Sequence, residues 1–182
     1  MDQATIQTLL KAVAKGDLSA EAASEQLKHL PYGDLGFAKI DHHRTLRRGV
    51  PESIFTEGKT PEQVTQIIAH MKEHGTNILA TRCSPELAQA VLAIHPDLTH
   101  HEAARCLTLT INPPEALDGY IAVVCTGTSD LPVAEEAAVT CEMQGCRVER
   151  IHDVGVAGLH RVLNQRETLT GANALIVCAG ME

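Results

Sequence analysis

The strongest constraint lies in the second half of the chain, where an uninterrupted aliphatic run, Tyr120 to Cys125, gives way at once to a polar turn and a helix start. A strand that is apolar at every position is buried on both faces, which is the mark of a parallel sheet. The pattern then repeats. Thr126 to Asp130 is the turn, and Pro132 starts a helix with Ala134, Ala137, Ala138, Cys141 and Met143 inward. Gly145 stops it. Cys146 to Ile151 reads as a second strand, Asp153 to Gly158 as a turn, and Leu159, Val162 and Leu163 mark another helix. Ala174 to Cys178 reads as a third strand. Strand, helix, strand, helix, strand is the order of an open α/β domain, a doubly wound parallel sheet of the flavodoxin type. The core must be aliphatic, because the chain has no Trp, two Phe and two Tyr among 44% hydrophobic residues.

The first half is a smaller α/β unit. Two short helices open it. Ile6, Leu9, Leu10 and Val13 form one stripe closed by Gly16, and Ser19 caps a second helix that Pro31 ends. Phe37 to Ile40 and Ile54-Phe55 read as short strands. Thr60-Pro61-Glu62-Gln63 has the residues of a capping box with Pro at the first helical position. That helix carries Val64, Ile67, Ile68 and Met71 to Gly75. A strand over Asn77–Ala80, a helix from Ser84-Pro85 and a strand over Ala104–Ile111 follow. Asn112-Pro113-Pro114 and Asp118-Gly119 break the pattern, which sets expected domains at 1–117 and 118–182. Three strands make a thin sheet, so a C-terminal part beyond Glu182 is expected.

Charge and cysteine usage exclude some classes. A net charge of -8 speaks against sequence-independent nucleic-acid binding, which relies on Lys and Arg. Within this acidic chain Arg44, Arg47, Arg48 and Lys59 lie close together in sequence, a pattern that fits a small anion or a solvated charged face. The six cysteines are expected to be reduced. No signal peptide opens the chain, and Cys106, Cys125 and Cys178 sit in apolar runs, so a cytoplasmic protein without a membrane segment is expected.

In open parallel sheets ligands bind beyond the carboxyl ends of the strands. Three loops occupy that position. Thr126-Gly127-Thr128-Ser129-Asp130 offers a glycine for close backbone approach, hydroxyls for phosphate oxygens and a following helix N-terminus. Asp130 could hold a ribose hydroxyl or move a proton; the plain alternative is a helix cap by Ser129 or Asp130. The loop matches neither the dinucleotide fingerprint nor the Walker pattern. The second loop offers Asp153 and Gly155, and the third offers Gly180, Met181 and Glu182, whose carboxylate would suit proton abstraction if burial raised its pKa. No metal set is expected. Neighbours in the pairs His42-His43 and His100-His101 face opposite ways in a strand, and Cys141 and Cys146 lack zinc-knuckle spacing. Asp41-His42-His43 also spells a phosphoesterase signature, but the Asp-rich motifs that family needs are missing, so the match is accidental.

Taken together, Thr126-Gly127-Thr128-Ser129-Asp130 with Pro132, Asp153-Val154-Gly155-Val156-Ala157-Gly158-Leu159-His160-Arg161, and Ala179-Gly180-Met181-Glu182 resemble the LarB family. So does the earlier run Asp41-His42-His43-Arg44 with Arg47, Gly49, Pro51, Glu52 and Gly58-Lys59-Thr60. The resemblance covers nearly the whole chain. It implies an enzyme that carboxylates the pyridinium ring of nicotinic acid adenine dinucleotide with CO2 and cleaves the phosphoanhydride, releasing AMP. The product, pyridinium-3,5-biscarboxylic acid mononucleotide, is the first intermediate of the nickel-pincer cofactor of lactate racemase. It also implies a C-terminal domain similar to aminoimidazole ribonucleotide carboxylase, a ring-like homo-oligomer (an octamer), and a nucleophilic Cys beyond Glu182. On this reading Asp130 and Glu182 are catalytic, and Thr126, Gly127, Thr128, Ser129, Asp153, Gly155, Gly180 and Met181 line the pyridine nucleotide. Arg44, Arg47, Arg48 and Lys59 take a second phosphate. Mg2+ could assist hydrolysis at Asp130, with no clear ligand set. The rival readings are an aminoimidazole ribonucleotide carboxylase proper, whose Ser-Ala-His-Arg run is missing, and a non-catalytic nucleotide-binding module.

Overall fold

The computed structural model describes residues 3–27 and 32–180; Pro31, Met181 and Glu182, each given a role above, lie outside them. Helices α1 (Gln3–Lys15) and α2 (Ala20–Leu27) form the expected hairpin. Gly16, at φ 79°, closes α1: its amide donates to Val13 O and that of Asp17 to Ala12 O. Ser19 Oγ accepts from the Ala22 amide at 3.1 Å, the N-terminal cap its position calls for. Leu9 and Ala23 are buried, while Leu10 of the expected stripe is exposed.

A two-residue hairpin follows, β1 (Gly33–Asp34) against β2 (Lys39–Ile40). Next come α3 (Arg44–Arg48), β3 (Ile54–Phe55), α4 (Pro61–Glu73), β4 (Ile78–Thr81), α5 (Pro85–Ile94), β5 (Thr99–His101) and β6 (Cys106–Leu109). The capping box of α4 is complete: Thr60 Oγ1 accepts from the Gln63 amide, and Gln63 Oε1 accepts from the Thr60 amide. Strands β3 to β6 form one sheet in the order β3-β4-β6-β5, with β3 parallel to β4 and the other pairs antiparallel. Val64, Ile67, Ile68 and Met71 of α4 and Leu87, Ala88 and Val91 of α5 pack on Ile78, Ala80 and Leu107. Each large aliphatic side chain fully removed from water here contributes roughly 1.5–3 kcal/mol.

Several elements depart from the sequence reading: β1 and α8 were not expected, and the strand expected over Phe37–Ile40 is confined to Lys39–Ile40. β5 was not expected, because Thr99-His100-His101 has no apolar alternation; it is an edge strand held by backbone pairing to β6. The strand expected over Ala104–Ile111 is confined to Cys106–Leu109. The arginine cluster, to which the sequence assigned no element, forms the short helix α3, which Gly49 at φ 77° terminates.

The second half carries β7 (Ile121–Cys125), α6 (Leu131–Glu142), β8 (Val148–Ile151), α7 (Leu159–Leu163), α8 (Arg166–Gly171) and β9 (Ala174–Cys178). The strands are all parallel in the order β8-β7-β9. Helix α6 covers one face, packing Ala134 and Ala138 on Val123 and Cys125. Val162 of α7 and Leu169 of α8 cover the other at Ala122 and Val124. Helices on both faces of a parallel sheet are the α/β fold the aliphatic runs require. The helix expected to bury Leu159, Val162 and Leu163 forms over all three, and they share one face, but only Val162 packs on the sheet: Leu159 and Leu163 are 58% and 60% exposed. Asn164-Gln165 then leads the chain into α8.

Helix α6 has a second apolar face. Val139, with Met143 just beyond the helix, packs on Leu79 and Cys106, so α6 lies between the two sheets. Among the described residues no helix is long and apolar enough to cross a membrane.

Candidate nucleotide-binding site

The strand order locates the site. From β7 the chain passes to β8 on one side and then returns to β9 on the other. The carboxyl ends of β7 and β9 therefore lie side by side where the strand order reverses, the topological switch point at which such sheets bind ligands. The three loops singled out in the sequence meet there. The Thr126 amide donates to Cys178 O, the Val154 amide to Cys125 O, and the Gly155 amide to Thr126 O, at 3.1 to 3.2 Å. Gly180 approaches Asp130 closely enough that a Cβ on it would stand 3.1 Å from Asp130 Oδ1.

Within the first loop, Gly127 is extended, and Thr128, Ser129 and Asp130 form a single turn of 3-10 helix that runs into α6. The Asp130 carboxylate does not cap that helix. It turns back and accepts from Thr126 Oγ1 at 3.3 Å. Thr128 and Ser129 are exposed, and among the described residues neither side chain is hydrogen-bonded. The cap that sequence alone could not separate from a binding role is thus not what these side chains form. The loop presents two hydroxyls and a carboxylate at a helix N-terminus of twelve residues, whose dipole favours an anion.

Asp153 has φ 56°, a left-handed backbone that costs a non-glycine residue about 1–3 kcal/mol. Its carboxylate pairs with Arg161 Nη1 at 2.7 Å. Cys125 and Cys178, side by side in the β7–β9 register, are not activated nucleophiles. Burial raises both thiols, and the Cys125 thiol donates to Gly127 O at 2.9 Å.

The structure divides the four basic residues. Arg47 is ion-paired with Asp41, which holds that carboxyl below its usual range, and Lys59 Nζ donates to Phe55 O at 2.6 Å. Arg44 and Arg48 are exposed. Arg48 lines a cleft of about 680 Å³ with His74, Asn77, Asn112, Met143 and Gln144. Met143 and Gln144 follow the C-terminus of α6, whereas Thr128–Asp130 precede its N-terminus. Twelve helical residues at 1.5 Å each separate the two places by about 18 Å within one chain. The cleft holds Arg48, whereas the Thr128 and Ser129 hydroxyls and the Asp130 carboxylate stand at the other end of α6.

Sequence reasoning missed two features. Arg82, at the end of β4 with φ 59°, reaches Glu136 on α6 at 2.6 Å. His42, His70 and His74 form a cluster whose ligand nitrogens all lie within 4.8 Å of one another. The pair His42-His43 faces opposite ways, as expected: His43 turns to Arg47, while His42 turns inward to His70. The readable signal was the four-residue spacing of His70 and His74 on one helix face.

Comparison with known proteins agrees with the motifs. The sequence model of the LarB/PurE-like N-terminal domain matches residues 32–112. The uncharacterized protein MJ0165 of Methanocaldococcus jannaschii is 30% identical over 186 aligned positions, covering 97% of this chain and 73% of that protein. The chain belongs to the LarB family of carboxylase-type proteins.

Proposed function

We propose that the protein carboxylates the pyridinium ring of nicotinic acid adenine dinucleotide and hydrolyses its phosphoanhydride, releasing AMP and pyridinium-3,5-biscarboxylic acid mononucleotide. The observation that carries this reading is the Asp130 carboxylate, turned away from its own helix cap and set beside Thr126 and Gly180 at the switch point.

A pyridinium ring is electron-poor and does not attack CO2. A nucleophile must add first, giving a neutral dihydropyridine with enamine character. That ring carbon bonds to CO2, a base takes its proton, and expulsion of the nucleophile restores aromaticity. The net change is C–H plus CO2 to C–COO⁻ plus H⁺. In this scheme Thr128 and Ser129 hold the phosphate against the start of α6, and Asp130 holds the ribose or moves the proton. Asp153, Gly155, Gly180 and Met181 shape the pocket, and Glu182 is a further proton acceptor. Water then cleaves the phosphoanhydride; a Mg2+ ion at Asp130 would assist by stabilising charge on the phosphate. Arg44 and Arg48 are assigned to the second phosphate, while Arg47 and Lys59 are engaged by Asp41 and Phe55 O. Because Arg48 and the loop stand at opposite ends of α6, one substrate reaches both by running along α6 or by bridging two copies in a homo-oligomer.

The test is incubation of the native protein with the dinucleotide and 13C-bicarbonate. Label in a carboxylated mononucleotide together with AMP is expected. AMP without label, or neither, defeats the assignment.

A further inference from the structure

We propose that His42, His70 and His74 form a binding site for a divalent transition-metal ion of the Zn2+ class. The residues come from two elements. His42 lies between β2 and α3; His70 and His74 lie one turn apart at the end of α4. Residues four apart on a helix share a face, the spacing by which helical histidine pairs hold zinc.

The details match what a metal needs. His42 is 6% exposed, and its Nδ1 has no hydrogen-bond partner among the described residues. His42 Nε2 stands 3.0 Å from His70 Nε2. The ring of His42 stacks on that of His74 at 4.2 Å, and those of His70 and His74 are 4.4 Å apart. With metal–nitrogen bonds of about 2.0–2.1 Å, a tetrahedral ion sets its ligand nitrogens roughly 3.4 Å apart. The ligand nitrogens of the trio lie within 4.8 Å of one another, so the rings must turn to close on an ion. His74 already has the second contact that bound imidazoles usually make: Nδ1 lies 2.8 Å from His70 O, so as its donor it leaves Nε2 with the lone pair. Gly33 closes the site from β1. A Cβ there would overlap His70 Nε2 and stand 2.9 Å from His42 Nε2, filling the space where the nitrogens converge. A cation also sits well at this place, beside the carbonyl end of α4.

Three neutral imidazoles suit Zn2+ and its neighbours and leave a fourth position open. His74 borders the Arg48 cleft, so an ion here ties the segment leading into α3 to α4 and fixes one wall of that cleft. The plain alternative is a hydrogen-bonded histidine pair that braces the hairpin without metal.

Chelator-stripped protein titrated with Zn2+ by calorimetry, and with Co2+ by absorption, separates the two. One ion per chain is expected, with ligand-field bands of a nitrogen set and no thiolate charge-transfer band. His74→Gln and His70→Gln should each weaken binding at least about tenfold and abolish the rise in Tm that Zn2+ gives the parent protein. His100→Gln, on the exposed edge strand, should change neither. Failure to bind either ion, binding untouched by both α4 variants, or a thiolate band would overturn the site.

Discussion

Arg82 Nε donates to Glu136 Oε2 at 2.6 Å, joining the end of β4 to the middle of α6 across the line where the two sheets share that helix. The arginine does so from a left-handed backbone, φ 59°, that only glycine adopts without cost. Replacing it therefore has two separable effects. Arg82→Ala loses the pair and keeps the strain; Arg82→Gly loses the pair and relieves the strain. Urea unfolding should find Arg82→Ala less stable than Arg82→Gly by about 1 kcal/mol. Equal stabilities would mean that the backbone there is not strained.

Asp130→Asn separates binding from folding. Loss of an N-cap carboxylate typically costs about 1 kcal/mol, but Asp130 does not cap α6. The variant should keep its stability within about 0.5 kcal/mol while losing most carboxylation. A clear fall in Tm, or full activity, would contradict the role assigned to this loop.

Gly145 ends α6 at φ 86°, and a Cβ on it would run into Glu115 O of the segment that joins the two halves. Its own carbonyl accepts from the Leu117 amide at 3.1 Å. Gly145→Ala should destabilise by more than about 2 kcal/mol, the left-handed cost plus the overlap. Thermal unfolding checks this, and a neutral result would show that the 113–117 segment yields without cost.

Burial, with His74 and His70 close by, lowers the pKa of His42 from 6.5 to about 4. In metal-free protein the unfolded chain then binds a proton that the folded chain refuses. The contribution is complete above pH 6.5 and is lost as pH falls from 6.5 through 4, up to about 3 kcal/mol. Unfolding free energies measured in chelator at pH 7.5 and pH 4.5 should differ more in the parent protein than in His42→Gln. Identical pH dependence would place a charged, solvated His42 in the folded state.

Much of the architecture was legible because burial writes itself into residue type. The runs Tyr120–Cys125 and Ala174–Cys178 and the capping box at Thr60 carry local signals that tertiary packing reinforces. β5 was not legible, because an exposed edge strand needs no apolar alternation, and its pairing is set by β6. The second face of α6 was hidden for a related reason: Met143 read as one more turn of a single inward stripe, and Val139 was assigned to no face. The loop chemistry was readable as residue types, but whether Asp130 caps α6 or turns back to Thr126 depends on a side-chain rotation. The basic cluster looked unified because four cations lie within sixteen positions; Arg47 and Lys59 are instead spent on Asp41 and Phe55 O. The histidine trio joins residues 28 positions apart, a distance that no local pattern spans.

Backbone amide NMR with nicotinic acid mononucleotide is the most direct measurement. Shifts concentrated at Gly127, Ser129, Gly155 and Gly180, lost in Asp130→Asn, are the predicted result. Shifts confined to the cleft around Arg48 and Asn77, with the loop after β7 unmoved, would contradict a sugar-phosphate cradle at the switch point.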